Sequence, residues 1–141
     1  MHLLDTNVVS ELRKVRAGKA DPAVASWAAS VEPGGLFLSA ITVHELELGI
    51  RLMERRDSAQ GALLRCWLEQ AVLPTFAGRI LPVDANVARR SAALHVPNPQ
   101  PLRDGLIAAT ALVNNLVVVT RNLADFQTSG VMLLNPWDRQ T

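Results

Sequence analysis

Four carboxylates stand where a short apolar run gives way to a helix or a turn. They are Asp5 after Leu3-Leu4, Glu45 in Thr42-Val43-His44-Glu45, Asp104 behind a proline-rich stretch, and Asp125 in Thr120-Arg121-Asn122-Leu123-Ala124-Asp125-Phe126. Carboxylates crowded into one crevice raise each other's pKa, and an oxygen-seeking divalent cation relieves the repulsion by taking them as ligands. Magnesium suits such a set, because its octahedral shell can hold two protein carboxylates and still keep waters and room for a phosphate oxygen. The chemistry this favours is phosphodiester hydrolysis by an activated water. Arg13, Arg51, Arg55, Arg103 and Arg121 are the cations available to orient a polynucleotide backbone around it. Each carboxylate also has a local role open to it. Asp5 can cap a helix, Glu45 can complete a Thr42-x-x-Glu45 capping box, Asp104 can sit at the positive end of a helix, and Asp125 can serve a polar turn.

Other chemistries find less support. His2, His44 and His95 lack a compact metal-ligand spacing and read as structural or surface residues. Cys66 lies beside Trp67 in an apolar helical segment and is expected to be an interior thiol. Trp27 and Trp67 fall on apolar helix patterns that suit packing, Trp137 lies in the tail, and no glycine-rich phosphate loop is present. The 141 residues suit one domain, and 49% hydrophobic against 19% charged residues excludes a disordered chain. Fourteen Lys and Arg against thirteen Asp and Glu leave +1, so any nucleic-acid partner must be recognised locally. The lone Cys66 forms no internal disulfide, and no apolar run approaches the ~20 residues that span a bilayer. Met1 leads into a strand-like run without a signal region, so a cytoplasmic protein is expected.

Bringing the carboxylates together is the task of alternating strands and helices. His2 to Asp5 reads as a strand, and Thr6 or Asn7 can cap a helix through Val8, Val9, Leu12 and Val15 that Gly18 ends. Asp21 and Pro22 open a second helix around Trp27, stopped by Pro33-Gly34-Gly35. Leu36 to Leu38 form a strand, and Thr42 with Glu45 starts a third helix whose Val43, Leu46, Ile50 and Met53 recur at three and four residues. Asp57 and Ser58 restart it until Pro74 and Gly78 break it. Ile80, Leu81 and Val83 make another strand, and Asp84 caps a helix towards Leu94. A stiff loop through Pro97, Pro99 and Pro101 delivers Arg103 and Asp104 to a helix over Leu106 to Leu112. Leu116 to Val119 suits a strand buried on both faces, Asn122 caps the next turn, Gly130 ends it, and Val131 to Leu134 is the last strand before a polar tail. Such alternation implies an α/β protein with a mostly parallel sheet, helices on both faces and functional groups beyond the strand C-terminal ends. All four carboxylates occupy that kind of position.

The ordered blocks Leu3-Leu4-Asp5-Thr6-Asn7, Ser39-Ala40-Ile41-Thr42-Val43-His44-Glu45-Leu46, Arg103-Asp104-Gly105-Leu106-Ile107-Ala108-Ala109-Thr110-Ala111 and Thr120 to Phe126, followed by Gly130-Val131 and Asn135-Pro136, span nearly the whole chain. Together they resemble the PIN-domain ribonucleases, especially the VapC and FitB-like toxins of bacterial toxin–antitoxin pairs. The resemblance implies a three-layer α/β/α sandwich around a central, mostly parallel sheet, in one domain over residues 1–141, usually as a homodimer. It implies a toxic endoribonuclease, a hydrolase using Mg²⁺ with Mn²⁺ able to substitute, that leaves a 5′-phosphate and a 3′-OH. Asp5, Glu45 and Asp104 map onto the family's acidic triad, with Asp125 a fourth participant. Many relatives carry an acid where this chain has Asn122; the FitB-like pattern has Asn followed three residues later by Asp.

On that reading Asp5 and Asp104 hold the ion, Glu45 and Asp125 position its waters or a second ion, and Thr6, Asn7, Thr120 and Asn122 orient carboxylates or phosphate. The resemblance also implies a cognate VapB/FitA-like antitoxin that occludes the groove with a basic side chain, RNA as substrate, and operator DNA contacted only through the complex. Two other readings are a haloacid-dehalogenase-like phosphatase and a PIN-like protein-binding module without catalysis. The phosphatase would place an acid where Asn7 stands and needs a distal lysine, whereas Lys14 and Lys19 are early; the retained Asp5, Glu45 and Asp104 argue against lost catalysis.

Overall fold

The computed structural model describes residues 1–138; the end of the polar tail, 139–141, lies outside them. Strands β1 (His2–Leu4), β2 (Leu36–Ser39), β3 (Ile80–Leu81), β4 (Val117–Val119) and β5 (Leu133–Leu134) form one parallel five-stranded sheet in the order β3-β2-β1-β4-β5. The chain builds outward from β1 through β2 to β3, then crosses back to place β4 and β5 on the other side of β1. Strand order therefore reverses between β1 and β4, and a crevice opens beyond their C-terminal ends.

Side chains alternate across the sheet with the period of two that a pleated strand imposes. Leu3 and Val118 face one helix layer, packing with Ile107, Ala108, Ala111 and Phe126, while Leu4 and Val119 face the other, packing with Val8, Trp27, Leu46 and Ile50. Both faces of the sheet are thus covered, which is why the valine run of β4 carries no polar alternation.

Helix α1 (Thr6–Leu12) begins directly after β1, and the Asp5 side chain caps it by accepting the Thr6 N–H. The cap is one or two residues earlier than Thr6 or Asn7, because the residue straight after β1 must both leave the strand and satisfy the helix's first donors. Val15 lies beyond this helix and is exposed. Helix α2 (Pro22–Ser30) has the expected Asp21 cap and Pro22 at its start, and its buried Trp27 makes a T-shaped contact with His2, the ring centroids 5.5 Å apart. Helix α3 (Ala40–Arg56) starts before the expected capping box. Ser39 accepts the Ile41 N–H, Thr42 is buried with its hydroxyl unpartnered, and Glu45 is therefore free of any capping duty.

Helix α4 (Ser58–Trp67) starts at the expected Asp57 cap, and the helical run that continues it ends at Thr75, between the expected breaks at Pro74 and Gly78. A π turn over Leu68–Val72, in which the Leu73 N–H reaches back to the Leu68 carbonyl, leads into the short α5 (Leu73–Thr75). The wider turn accommodates a proline that would otherwise clash with the preceding carbonyls. Cys66 is exposed, contrary to expectation, because its face of α4 points away from the sheet. Helix α6 (Ala85–Leu94) has the expected Asp84 cap, and Val83 lies outside β3. Helix α7 (Leu102–Asn114) starts directly after Pro101, so Arg103 and Asp104 ride on its first turn and not on the loop. A 3-10 turn over Leu123–Ser129 follows β4; Asn122 occupies its cap position without a side-chain bond, and Gly130 ends it at φ +78°. The last strand begins at Leu133, later than the expected Val131. No helix among the described residues is long and apolar enough to cross a membrane.

Helices α3 and α4 form a hairpin pinned by Arg65, which sits 2.7 Å from Glu47 and 2.9 Å from Glu54, while Arg51 also pairs with Glu47 at 2.9 Å. The helices approach closely at Gly61, where a Cβ would fall 2.6 Å from the Glu54 Cα. Gly61→Ala is expected to cost about 1–3 kcal/mol of stability by overpacking. Gly49→Ala, on α3 with open space around its Cβ position, is expected to add about 0.5–1 kcal/mol. Denaturant melts of both variants check the contrast; equal effects would refute it.

Candidate active site

The crevice is built around Asp5. Its backbone N–H donates to the Val119 carbonyl at 2.9 Å, extending the β1–β4 ladder by one step, and its side chain then turns into α1. Asp5 is only 8% exposed. Oδ1 accepts the Thr6 N–H at 2.8 Å, and Oδ2 accepts the Thr120 hydroxyl at 2.8 Å. The Thr120 oxygen itself accepts the Asn122 backbone N–H at 3.0 Å and the Asn7 Nδ2 at 3.4 Å, so its one proton and both lone pairs are used. Asn7 also reaches Asp5 Oδ2 at 3.4 Å and accepts the Arg121 N–H at 3.3 Å, joining α1 to the segment after β4. Thr6 donates its hydroxyl to Glu45 at 3.2 Å, linking α1 to α3.

The four carboxylates act on one another. Burial raises the Asp5 pKa most strongly and Asp125 adds to the rise, against the hydrogen bonds from Thr120 and Thr6. Glu45 is raised by burial and then by Asp5, while the Thr6 bond, Arg103 and His44 pull the other way. Asp104 is pushed up to about 6, first by burial and then by Asp125, Asp5 and Glu45. Three elements and one turn thus deliver mutually repelling acids to one place. Among the described residues, however, no three Asp, Glu, His or Cys side chains stand close enough to hold one cation jointly. An all-oxygen donor set of this spacing fits a hard divalent cation that takes one or two carboxylates and keeps its own waters, and it does not fit a closed zinc centre.

Of the arginines, Arg103 lies 3.9 Å from Glu45 at the rim of the crevice. Arg13 stacks over Trp67 at 5.8 Å and Arg121 over Trp137 at 5.2 Å, whereas Arg51 is engaged with Glu47 on the hairpin and Arg55 is exposed. A cleft of about 270 Å³ runs from Thr6 and Glu45 past Arg13 to Trp67. A larger, more apolar cleft of about 330 Å³ shares Arg13 and Trp67 with it and continues to Leu36 and Phe76 without touching a carboxylate. The smaller cleft is the one joined to the chemistry.

A model of the PIN domain matches residues 2–127, and the chain belongs to that family. It is 39% identical over 146 residues to a VapC ribonuclease of Sinorhizobium fredii, covering 98% of this chain and 99% of the relative. It is 41% identical over 142 residues to the toxin FitB of Neisseria gonorrhoeae, covering 97% and 99%. The solved structure of FitAB bound to a DNA fragment superposes with a TM-score of 0.88 at 36% identity, covering 100% of this chain and 99% of that one. The family sets aside the phosphatase reading of Asp5.

Asp104 has an ordinary pKa of 3.8 and a folded value of about 6. In metal-free protein its favourable contribution is complete below the unfolded value and is lost as pH rises through the folded one. Asp104→Asn is therefore expected to raise the thermal midpoint in EDTA at pH 7, with the gain vanishing near about pH 4. A lowered midpoint at pH 7 would contradict the repulsion. Thr120→Val, which strips a buried carboxylate of its donor, is expected to cost about 1–3 kcal/mol in the same melts.

Proposed function

We propose that this chain is a divalent-metal-dependent endoribonuclease, the toxin of a VapBC- or FitAB-type toxin–antitoxin pair, formed by one PIN domain over residues 1–141. The convergence of Asp5, Glu45, Asp104 and Asp125 at the β1/β4 crevice carries this reading. The names of the relatives, a ribonuclease and a toxin, and the FitAB–DNA assembly support it.

Asp5 and Asp104 would hold Mg²⁺, or Mn²⁺ in its place, with Glu45 and Asp125 orienting its waters. Such an ion supplies an acidified water and charge stabilisation for a phosphate. The chain's own groups do the rest. Thr120 and the Thr6 N–H hold the Asp5 carboxylate in one orientation, and Thr6 does the same for Glu45. Asn7 and the backbone at Asn122 fix Thr120 in turn, which leaves the Asn122 side chain free to meet a phosphate. Arg103 flanks the crevice as a partner for the RNA backbone, with Arg13 along the adjoining cleft, Arg121 stacked over Trp137 just past Thr120, and Arg51 and Arg55 further out on α3.

A FitA/VapB-like antitoxin would inhibit by placing a basic side chain against these acids, and operator DNA would be reached through that complex. A cytoplasmic homodimer belongs to the same reading. Exposed Leu52 and Leu63 on the α3–α4 hairpin offer apolar surface for such association.

Purified protein with Mg²⁺ is expected to cut RNA to 5′-phosphate and 3′-OH ends, and Asp5→Asn to lower the rate by on the order of 100-fold or more while keeping the fold. End mapping with folded wild type and variant decides it; 2′,3′-cyclic phosphate ends, or an unimpaired Asp5→Asn, would reject the mechanism. At low Mg²⁺ the rate is expected to climb with pH through about 6, as Asp104 loses its proton. A flat profile would reject that assignment.

A further inference from the structure

Three side chains that the chemistry above leaves unused connect the segments carrying Asp104 and Asp125. His95, just past α6, accepts the Gln100 N–H on Nδ1 at 3.0 Å, so the ring proton sits on Nε2. That Nε2 is buried without a hydrogen-bond partner and lies where a Cβ on Gly105 would come within 3.0 Å, with Ser91 Oγ at 3.3 Å from the same point. The imidazole is thus wedged between the first turn of α7 and the proline-rich loop that leads into it.

Gln100 reaches the other way, and its Nε2 donates to the Thr128 hydroxyl at 2.7 Å. Thr128 lies three residues after Asp125 within the 3-10 turn over Leu123–Ser129, where residues three apart stack on one face. The bond to Gln100 therefore draws the face that bears Asp125 towards the segment that bears Asp104. Phe126, beside Asp125, already packs on Ile107 and Ala108 of α7, and the Gln100–Thr128 bond adds a polar tie that opposes the local repulsion between the two like charges.

We infer that His95, Gln100 and Thr128 form a positioning tether that sets the separation of Asp104 and Asp125, and through it the affinity of the crevice for a divalent cation. The inference rests on the reading of these carboxylates as cation-holding groups. None of the three touches the substrate; each acts through the backbone it holds.

Mn²⁺ binding to the RNA-free protein, followed by electron paramagnetic resonance, tests it without reference to cleavage. Thr128→Val keeps the shape and removes the acceptor, and is expected to weaken Mn²⁺ binding about three- to tenfold with the metal-free thermal midpoint unchanged. Thr128→Ser restores the bond and is expected to bind as wild type. In an Asp125→Asn background, Thr128→Val should produce no further loss, because the group it positions has gone. His95→Asn, whose Oδ1 can replace Nδ1 as acceptor, should bind more tightly than His95→Leu. Wild-type affinity in Thr128→Val, or the same loss with and without Asp125, would overturn the tether while leaving the nuclease reading standing. A wild type that binds no Mn²⁺ would overturn both.

Discussion

A buried carboxylate at the reversal point of a parallel sheet is the constraint on which this structure turns. Asp5, directly after β1, must cap α1 and present a charge to the crevice with one side chain. Its burial is tolerable because Thr120, at the end of the neighbouring β4, and the Thr6 N–H both donate to it. Thr120 can do so only if β1 and β4 are adjacent and in register, as the pairing of Leu4 with Val119 makes them. The sheet order and the polar network are therefore two views of one requirement. Asn7 and the Asn122 N–H close the network from either side.

Around that point the fold collects charges of one sign. Burial and neighbouring acids raise Asp5, Glu45 and Asp104 together, and Asp104 reaches about 6. A molecule built for stability alone would disperse them. Their collection is the local feature that a net charge of +1 conceals. Arg103 at 3.9 Å from Glu45 offsets only part of the repulsion.

Much of this was readable from the residues. The apolar runs before Asp5 and Ser39, and the valine run before Thr120, mark strands whose C-terminal ends lie side by side in the sheet. Caps were harder wherever two hydroxyls competed. Ser39 and Thr42 both suit an N-cap, and the choice falls to Ser39 because Thr42 is needed inside the core. The start of α7 was hidden by its prolines, which read as loop although a helix tolerates proline immediately before its first turn. Pro74 and Gly78 do mark the end of the helical run, but the π turn before Pro74 leaves no local signature in the sequence. Cys66 reads as interior yet is exposed, because an apolar stretch says that a helix has a buried face, and not which residue points away from it. His95 reads as structural or surface from the sequence, and the structure has it packed against Gly105 with Nδ1 accepting the Gln100 N–H.

The central claim is that protons and a divalent cation compete for the same crowded carboxylates. Calorimetric titration of the RNA-free protein with Mg²⁺ at pH 6, in two buffers of different ionisation enthalpy, measures the protons released on binding. The account predicts proton release at pH 6 that falls as the pH rises towards 8 and is smaller in Asp104→Asn. Binding heats that are independent of buffer at pH 6, or a release that survives Asp104→Asn unchanged, would contradict it.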